Sequence, residues 1–407
     1  MIIKSKMELK KVILSSGKDL SLKRFHPWVF SGAIKKIKNS LGKETEVADG
    51  ELVEVFSNKD EFLGMGHFQN GSISIRIISF EQRIPDQDFW NQKIGAAVKY
   101  RKSIGLIDNE NTNVFRLIHA EGDGLPGLII DFYNGTAVLQ THSIGMYLNK
   151  ENIVIALTKS LGSILKAVYD KSAETLPENF SRENVNAGYI YGEHTTNIVL
   201  ENNNKFDVDW VNGQKTGFFI DQRENRKLLG DYSKDKKVLN TFCYSGGFSI
   251  YAINAGATLV HSVDSSKKAI DLTNKNVELL DSKTSIHESF AMDTFQFLEK
   301  SKEEYDIIIL DPPAFAKHIN AKHNAVQGYK RLNCEAIKMI KPGGIIFTFS
   351  CSQVVDRQLF ERTIMSAAIQ AGRNVRIMHH LSQPADHAPS AFHPEGEYLK
   401  GLVLFVE

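Results

Sequence analysis

Hydrophobic and polar residues alternate in three short runs of the first eighty positions, at 11–14, 51–56 and 72–79, with the turn dipeptides Asp49-Gly50 and Asn70-Gly71 between them. A period of two rich in β-branched residues predicts half-buried strands, so residues 1–80 read as a small β-rich module. Over 87–104 the period lengthens, and Phe89, Ile94, Ala97 and Val98 fall on or near one face of a helix. Strand-like runs at 114–118, 128–132, 136–140 and 167–170, with a helix over about 150–165, make a small central α+β domain of residues 81–191. The turn-rich Glu121-Gly122-Asp123-Gly124-Leu125-Pro126-Gly127 separates its first two strands, and the polar stretch 177–186 reads as an exposed loop.

From 192 to 407 the pattern is different. Runs at 198–200 and 206–211 flank Asn202-Asn203-Asn204 as a hairpin, and then apolar runs of strand length at 238–240, 258–264, 285–290, 306–310, 344–350 and 375–381 alternate with helical segments. Such alternation predicts an α/β, doubly wound, Rossmann-like parallel sheet. No internal repeat or low-complexity segment interrupts it.

Composition narrows the class. The 407 residues are 42% hydrophobic and 24% charged, ordinary values for a globular chain of two or three domains. A net charge of +1 argues neither for nor against a nucleic-acid partner, but the first eighty residues carry 13 Lys and Arg against 9 Asp and Glu, with basic pairs at Lys10-Lys11, Lys23-Arg24 and Lys35-Lys36. The three cysteines, Cys243, Cys334 and Cys351, are odd in number and far apart, which argues against a disulfide framework and a Cys-rich metal site. Reduced thiols and the lack of any long apolar run give the expectation of a soluble cytoplasmic protein with no membrane partner and no metal.

The chemistry sits in the last half of the chain. Asn240-Thr241-Phe242-Cys243-Tyr244-Ser245-Gly246-Gly247 carries a strand into a glycine turn and a helix, where backbone without Cβ atoms admits a cofactor and a helix N-terminus offers oriented N–H groups. The GxGxxG spacing of a dinucleotide site is missing. Asp264 ends the next strand, where a carboxylate accepts ribose hydroxyls; Asp293 follows the third and is either a partner for an adenine amine or a helix cap. Glycine loop, Asp264, Asp293 and Asp311 in this order fit S-adenosylmethionine better than a nicotinamide.

Asp311-Pro312-Pro313 ends one predicted strand and Ser350-Cys351-Ser352 the next. In an open α/β sheet both then face the ligand crevice, so Cys351 is a candidate nucleophile: a thiolate added at C6 of a cytosine makes C5 nucleophilic enough to take a methyl group. Asp311, sharing a proton with N3, stabilises such an adduct. Cys334 falls in a helical pattern and reads as packing. Beyond the double proline, Lys317, Tyr329, Lys330 and Arg331, with Phe315, form a basic and aromatic stretch suited to phosphates and a flipped base; a solvated helix face is the alternative.

These residues resemble one family along the whole chain: His26-Pro27-Trp28-Val29-Phe30-Ser31-Gly32, Asp123-Gly124-Leu125-Pro126-Gly127-Leu128, Lys215-Thr216-Gly217-Phe218-Phe219-Ile220-Asp221-Gln222-Arg223, Tyr244-Ser245-Gly246-Gly247-Phe248, Asp311-Pro312-Pro313, Phe349-Ser350-Cys351-Ser352 and Pro394-Glu395-Gly396 with Tyr398-Leu399-Lys400-Gly401. The chain resembles the bacterial large-subunit rRNA cytosine-C5 methyltransferases of the RlmI type. The resemblance implies an N-terminal PUA domain that binds RNA, a central α+β domain and a class I methyltransferase acting on 23S rRNA, with an inclination to dimerise. It implies that Gln222 and Arg223 belong to the cofactor pocket and that Cys351 is the thiol that adds to C6. Pro312-Pro313-Ala314 carries no second cysteine, so another base has to release the product. One departure is Ala388, which separates Asp386-His387 from Pro389 where the family usually places proline directly. Two other readings remain: methylation of a purine with the same cofactor, and a non-catalytic RNA-binding or ribosome-assembly factor on a methyltransferase scaffold.

Overall fold

A computed structural model describes residues 9–193, 196–281, 285–316 and 318–407. The chain folds into two units: Met1–Thr196 with Trp210–Thr216 and Asp386–Gly396, and Asn197–Asp209 with Gly217–Ala385 and Glu397–Glu407.

The first unit holds two sheets. The N-terminal one has six strands in the order Trp28–Phe30, Ile73–Ser79, Phe62–Phe68, Leu52–Phe56, Lys10–Leu14, Ile34–Lys38. It buries the alternate apolar positions Val12, Leu14, Val53, Val55, Ile75 and Ile77. Strands at 28–30, 34–38 and 62–68 add to those read from the sequence, and the last escapes a period-of-two search because glycines interrupt it. At Gly66 a Cβ would lie 2.1 Å from the Arg76 carbonyl oxygen, so the chain closes there only with glycine.

The second sheet runs Gly188–Gly192, Ala167–Asp170, Thr136–Thr141, Leu128–Tyr133, Val114–His119. Helices Gln87–Ser103 and Lys150–Leu161 share its core, where Phe89, Trp90 and Ile94 join Phe115, Leu139 and Leu157. The stretch expected to be a loop at 177–186 is instead a short helix, Glu178–Asn184, anchored by a 2.7 Å hydrogen bond from Ser181 Oγ to the Ala173 carbonyl. The 386–396 segment belongs to this unit: Arg116 N–H donates to Asp386 Oδ2 at 2.9 Å and Arg101 Nη2 to the Asp386 carbonyl at 2.8 Å. Ala388, the departure noted above, lies with its carbonyl oxygen 2.2 Å from where a Cβ on Gly122 would stand.

The second unit is a seven-stranded sheet in the order Ile286–Ala291, Leu259–Asp264, Lys237–Thr241, Ile307–Leu310, Gly344–Ser350, Lys400–Val406, Val375–Leu381. The first five are parallel, as the alternation predicts, and Lys400–Val406 is the reversed strand, antiparallel to both its neighbours. The strand order turns back between Lys237–Thr241 and Ile307–Leu310, which fixes the ligand crevice at their carboxyl ends. The hairpin of Ile198–Glu201 and Asn204–Asp207 turns through Asn202 and Asn203, both with positive φ, the geometry that matches strand twist. Glu201 from this hairpin grips Arg226 through two hydrogen bonds of 2.8 and 2.7 Å, both side chains buried.

Candidate active site

Strand Lys237–Thr241 delivers the chain into a turn in which Phe242, Tyr244 and Gly246 have φ of 54°, 46° and 75°. Helix Gly247–Asn254 follows at once. Three side-chain bonds hold this loop from behind: Thr273 Oγ1 donates to the Tyr244 carbonyl at 3.0 Å, Asn276 Nδ2 to the Ser245 carbonyl at 2.8 Å, and Tyr244 O–H to the Gly217 carbonyl at 3.1 Å. Thr273 also explains Gly246, where a Cβ would meet Thr273 Cγ2 at 2.7 Å. A Cβ on Gly247 would touch Arg226 Cδ at 3.0 Å.

Asp264 ends its strand with Oδ2 accepting from Tyr244 N–H at 3.1 Å and Oδ1 from Ser266 N–H at 2.9 Å. Each carboxylate oxygen keeps a second lone pair for a ligand. Asn240 donates to Ser249 Oγ at 2.9 Å, and its buried Oδ1 has no hydrogen-bond partner. Asp293 is exposed and caps helix Thr294–Lys300, accepting from Gln296 N–H at 3.1 Å. The capping alternative weighed for it is therefore realised.

Gln222 and Arg223 stand at the start of helix Arg223–Ser233, both buried. Gln222 Nε2 donates to Asp311 Oδ2 at 3.0 Å and Arg223 Nε to Glu224 at 3.1 Å. Asp311 and Cys351 follow adjacent parallel strands whose register pairs Leu310 with Thr348, and both residues are partly exposed. The other thiols are unlike Cys351. Cys334 is 1% exposed inside helix Lys322–Met339, as expected for packing. Burial pushes Cys243 up to about 12, with its Sγ 3.5 Å from Thr273 Oγ1; at neutral pH it stays a thiol.

One expectation needs correction. Tyr329 is fully buried, its ring 4.6 Å from Phe315 and 5.6 Å from Phe360, so it cannot stack on a base. It shares the inward face of its helix with Ala325, Leu332, Asn333 and Ala336. Burial raises its hydroxyl to about 12, and the charges of Cys351 and Asp311 act in the same direction. Lys330 is half-buried and Arg331 exposed, its guanidinium over the Phe295 ring at 4.7 Å. Lys317 lies outside the described residues.

The sequence reading gave no role to Lys400, which sits on the strand paired with Gly344–Ser350 and donates from Nζ to the Ser352 carbonyl at 2.8 Å. The signal was available in Leu402-Val403-Leu404-Phe405-Val406, an apolar run that places the preceding lysine at a buried strand's start. Asn225 was also missed; its Nδ2 donates to Gln222 Oε1 at 2.6 Å.

Comparison with known proteins decides the relationship. Over 401 residues the chain is 37% identical to the ribosomal RNA large subunit methyltransferase I of Aeromonas hydrophila, covering 97% of this chain and 98% of that one. The chain belongs to the ribosomal RNA large subunit methyltransferase I family. The member from Pseudoalteromonas translucida is likewise 37% identical, with 97% and 99% covered. Residues 174–389 match the S-adenosylmethionine-dependent methyltransferase family and residues 12–80 a PUA-like domain. Among solved structures, an S-adenosylmethionine-dependent methyltransferase from Streptococcus mutans superposes with a TM-score of 0.81 at 23% identity, over 97% of this chain and 99% of that one. A methyltransferase crystallised with S-adenosylhomocysteine gives 0.82 at the same identity and coverage.

S-adenosylmethionine is the cofactor of this class, and the residues suit it: Asn240, on the strand that leads into the glycine turn, keeps a buried Oδ1 acceptor with no hydrogen-bond partner. Among the described residues no helix is long and apolar enough to cross a membrane.

Proposed function

We propose that this protein methylates C5 of a cytosine in large-subunit (23S) ribosomal RNA, through a covalent bond between Cys351 and C6 of the base. The observation that carries the reading is the pairing of Asp311 and Cys351 at the ends of adjacent parallel strands on the cofactor side of the sheet, with Gln222 bonded to Asp311. Asp293, a helix cap, is left out of the cofactor set, and in this reading Asn240, Phe242, Tyr244, Gly246, Gly247, Asp264, Gln222, Arg223 and Asp311 hold S-adenosylmethionine. When bound, it supplies the methyl group as an electrophilic sulfonium.

The chain's own residues do the rest. The Cys351 thiolate adds to C6, and the electron pair this pushes into the ring makes C5 nucleophilic. Asp311 holds a proton at N3, which keeps charge from building on the ring. Once C5 is methylated its proton leaves to a base, the C5–C6 double bond reforms and the thiolate departs. Pro312-Pro313-Ala314 offers no second cysteine for that release. The PUA-like module of residues 1–80 holds RNA, residues 192–407 carry the chemistry, and Lys330 and Arg331 reach phosphates. The enzyme works in the cytoplasm.

RNA containing 5-fluorocytosine tests the mechanism, because fluorine at C5 cannot leave as a proton. A protein–RNA adduct that survives denaturation, formed by the wild type and not by Cys351→Ala, is the expected result. Absence of any adduct, or full methylation by Cys351→Ala, points instead to a purine or to a non-catalytic role.

A further inference from the structure

Lys400 is the cross-strand partner of Ser350, the residue before Cys351, and its Nζ donates to the carbonyl of Ser352, the residue after it. The Lys400 backbone therefore pairs with the chain just before the thiol, and its ammonium group holds the chain just after it. Its side chain is buried, with Lys400 only 4% exposed. Lysine is rarely buried to this degree unless an anion accompanies it, and one carbonyl oxygen does not balance a full charge. The Cys351 thiol stands between the two residues that Lys400 engages, Ser350 and Ser352.

Building on the Cys351 reading above, we propose that Lys400 is a positioning residue that keeps Cys351 as a thiolate. The step is one proton shift: the thiol gives up its Sγ–H proton and the neutral amine at Nζ takes one up, leaving a thiolate and an ammonium. Burial is the main influence on Lys400 and pulls it down to about 8; the Cys351 thiolate opposes this most strongly, then Glu397, with Arg357 acting against the charge and Asp356 for it. Tyr329, on helix Lys322–Met339, feels the charges of both Cys351 and Asp311, and Asp311 follows the neighbouring strand. Coulombic coupling is mutual, so the pull of the thiolate on the ammonium is returned to the thiolate. A lysine near 8 and a thiol whose free value is about 8.5 can share one proton near neutrality.

The pH dependence of Cys351 alkylation by iodoacetamide reads this directly. It is measured on the full chain by peptide mass spectrometry, without RNA or methyl donor. In the wild type the midpoint is expected below the free-thiol value of about 8.5. Lys400→Met is expected to raise it by about 1–3 pH units, and Lys400→Arg, which restores a cation, to bring it back toward the wild-type value. A wild-type midpoint at or above about 8.5 overturns the proposal whatever the variants do, as does a Lys400→Met midpoint equal to that of the wild type. Because no substrate is present, the result stands apart from the C5 chemistry. Full methylation by Cys351→Ala would sink the C5 reading and leave the ion pair intact.

Discussion

Gln222 donates from its side-chain amide to Asp311 Oδ2 at 3.0 Å, and Asn225 fixes that amide by donating to its oxygen at 2.6 Å. The carboxylate that ends strand Ile307–Leu310 is thus aimed by the first turn of a helix eighty-nine residues earlier in the chain. A hydrogen bond to a charged group contributes about 1.5–3 kcal/mol. Gln222→Met is therefore expected to weaken S-adenosylhomocysteine binding by roughly tenfold or more in calorimetry, with a small change in melting temperature. Unchanged affinity would remove Gln222 from the pocket.

Gly246→Ala should be worse than a lost contact. The new methyl meets Thr273 at 2.7 Å, and φ of 75° strains any residue with a Cβ. A positive φ costs a non-glycine residue about 1–2 kcal/mol, so trimming the neighbour with Thr273→Ser is expected to recover only part of the loss. Cofactor affinity and urea midpoint together separate the strain from the clash; full rescue would contradict the backbone account.

Arg226 and Glu201 form a buried bidentate pair that ties the Asn202-Asn203 hairpin to helix Arg223–Ser233. Breaking such a pair leaves an uncompensated charge, at a cost of about 3–5 kcal/mol. Arg226→Met is expected to lose that much in denaturant unfolding, and the double change Arg226→Met with Glu201→Leu to lose less. Equal losses would show that the charge is not what Glu201 needs from Arg226.

How much of this was legible from residues depends on the range of the interaction. The parallel strands were, because each buried strand is a local apolar run, as at Ile307–Leu310 and Gly344–Ser350. The glycine loop was legible for the same reason. Tyr329 was misplaced because Lys330 and Arg331 beside it suggested a surface, whereas the helical spacing to Ala325, Leu332 and Asn333 carries it inward. Lys400 acquires meaning only from strand pairing with Ser350, which no local pattern announces. Helix Glu178–Asn184 has one buried residue, Ser181, and so no hydrophobic period to detect.

Acid should weaken the first unit. Burial pulls His67 and His142 down to about 4, so both are neutral when folded. The unfolded chain binds their protons below about 6.5. Between that pH and 4 unfolding takes up protons, so stability falls as pH drops, by up to about 3 kcal/mol for each histidine once both forms have titrated. The urea midpoint is expected to be lower at pH 5 than at pH 7. An equal or higher midpoint would contradict neutral burial.

Nucleoside mass spectrometry of 23S rRNA from a strain lacking this gene tests the central claim most directly. The expected result is loss of one 5-methylcytidine, restored by the wild-type gene and not by Cys351→Ala. Intact 5-methylcytidine with a missing methylated purine, or restoration by Cys351→Ala, would contradict it.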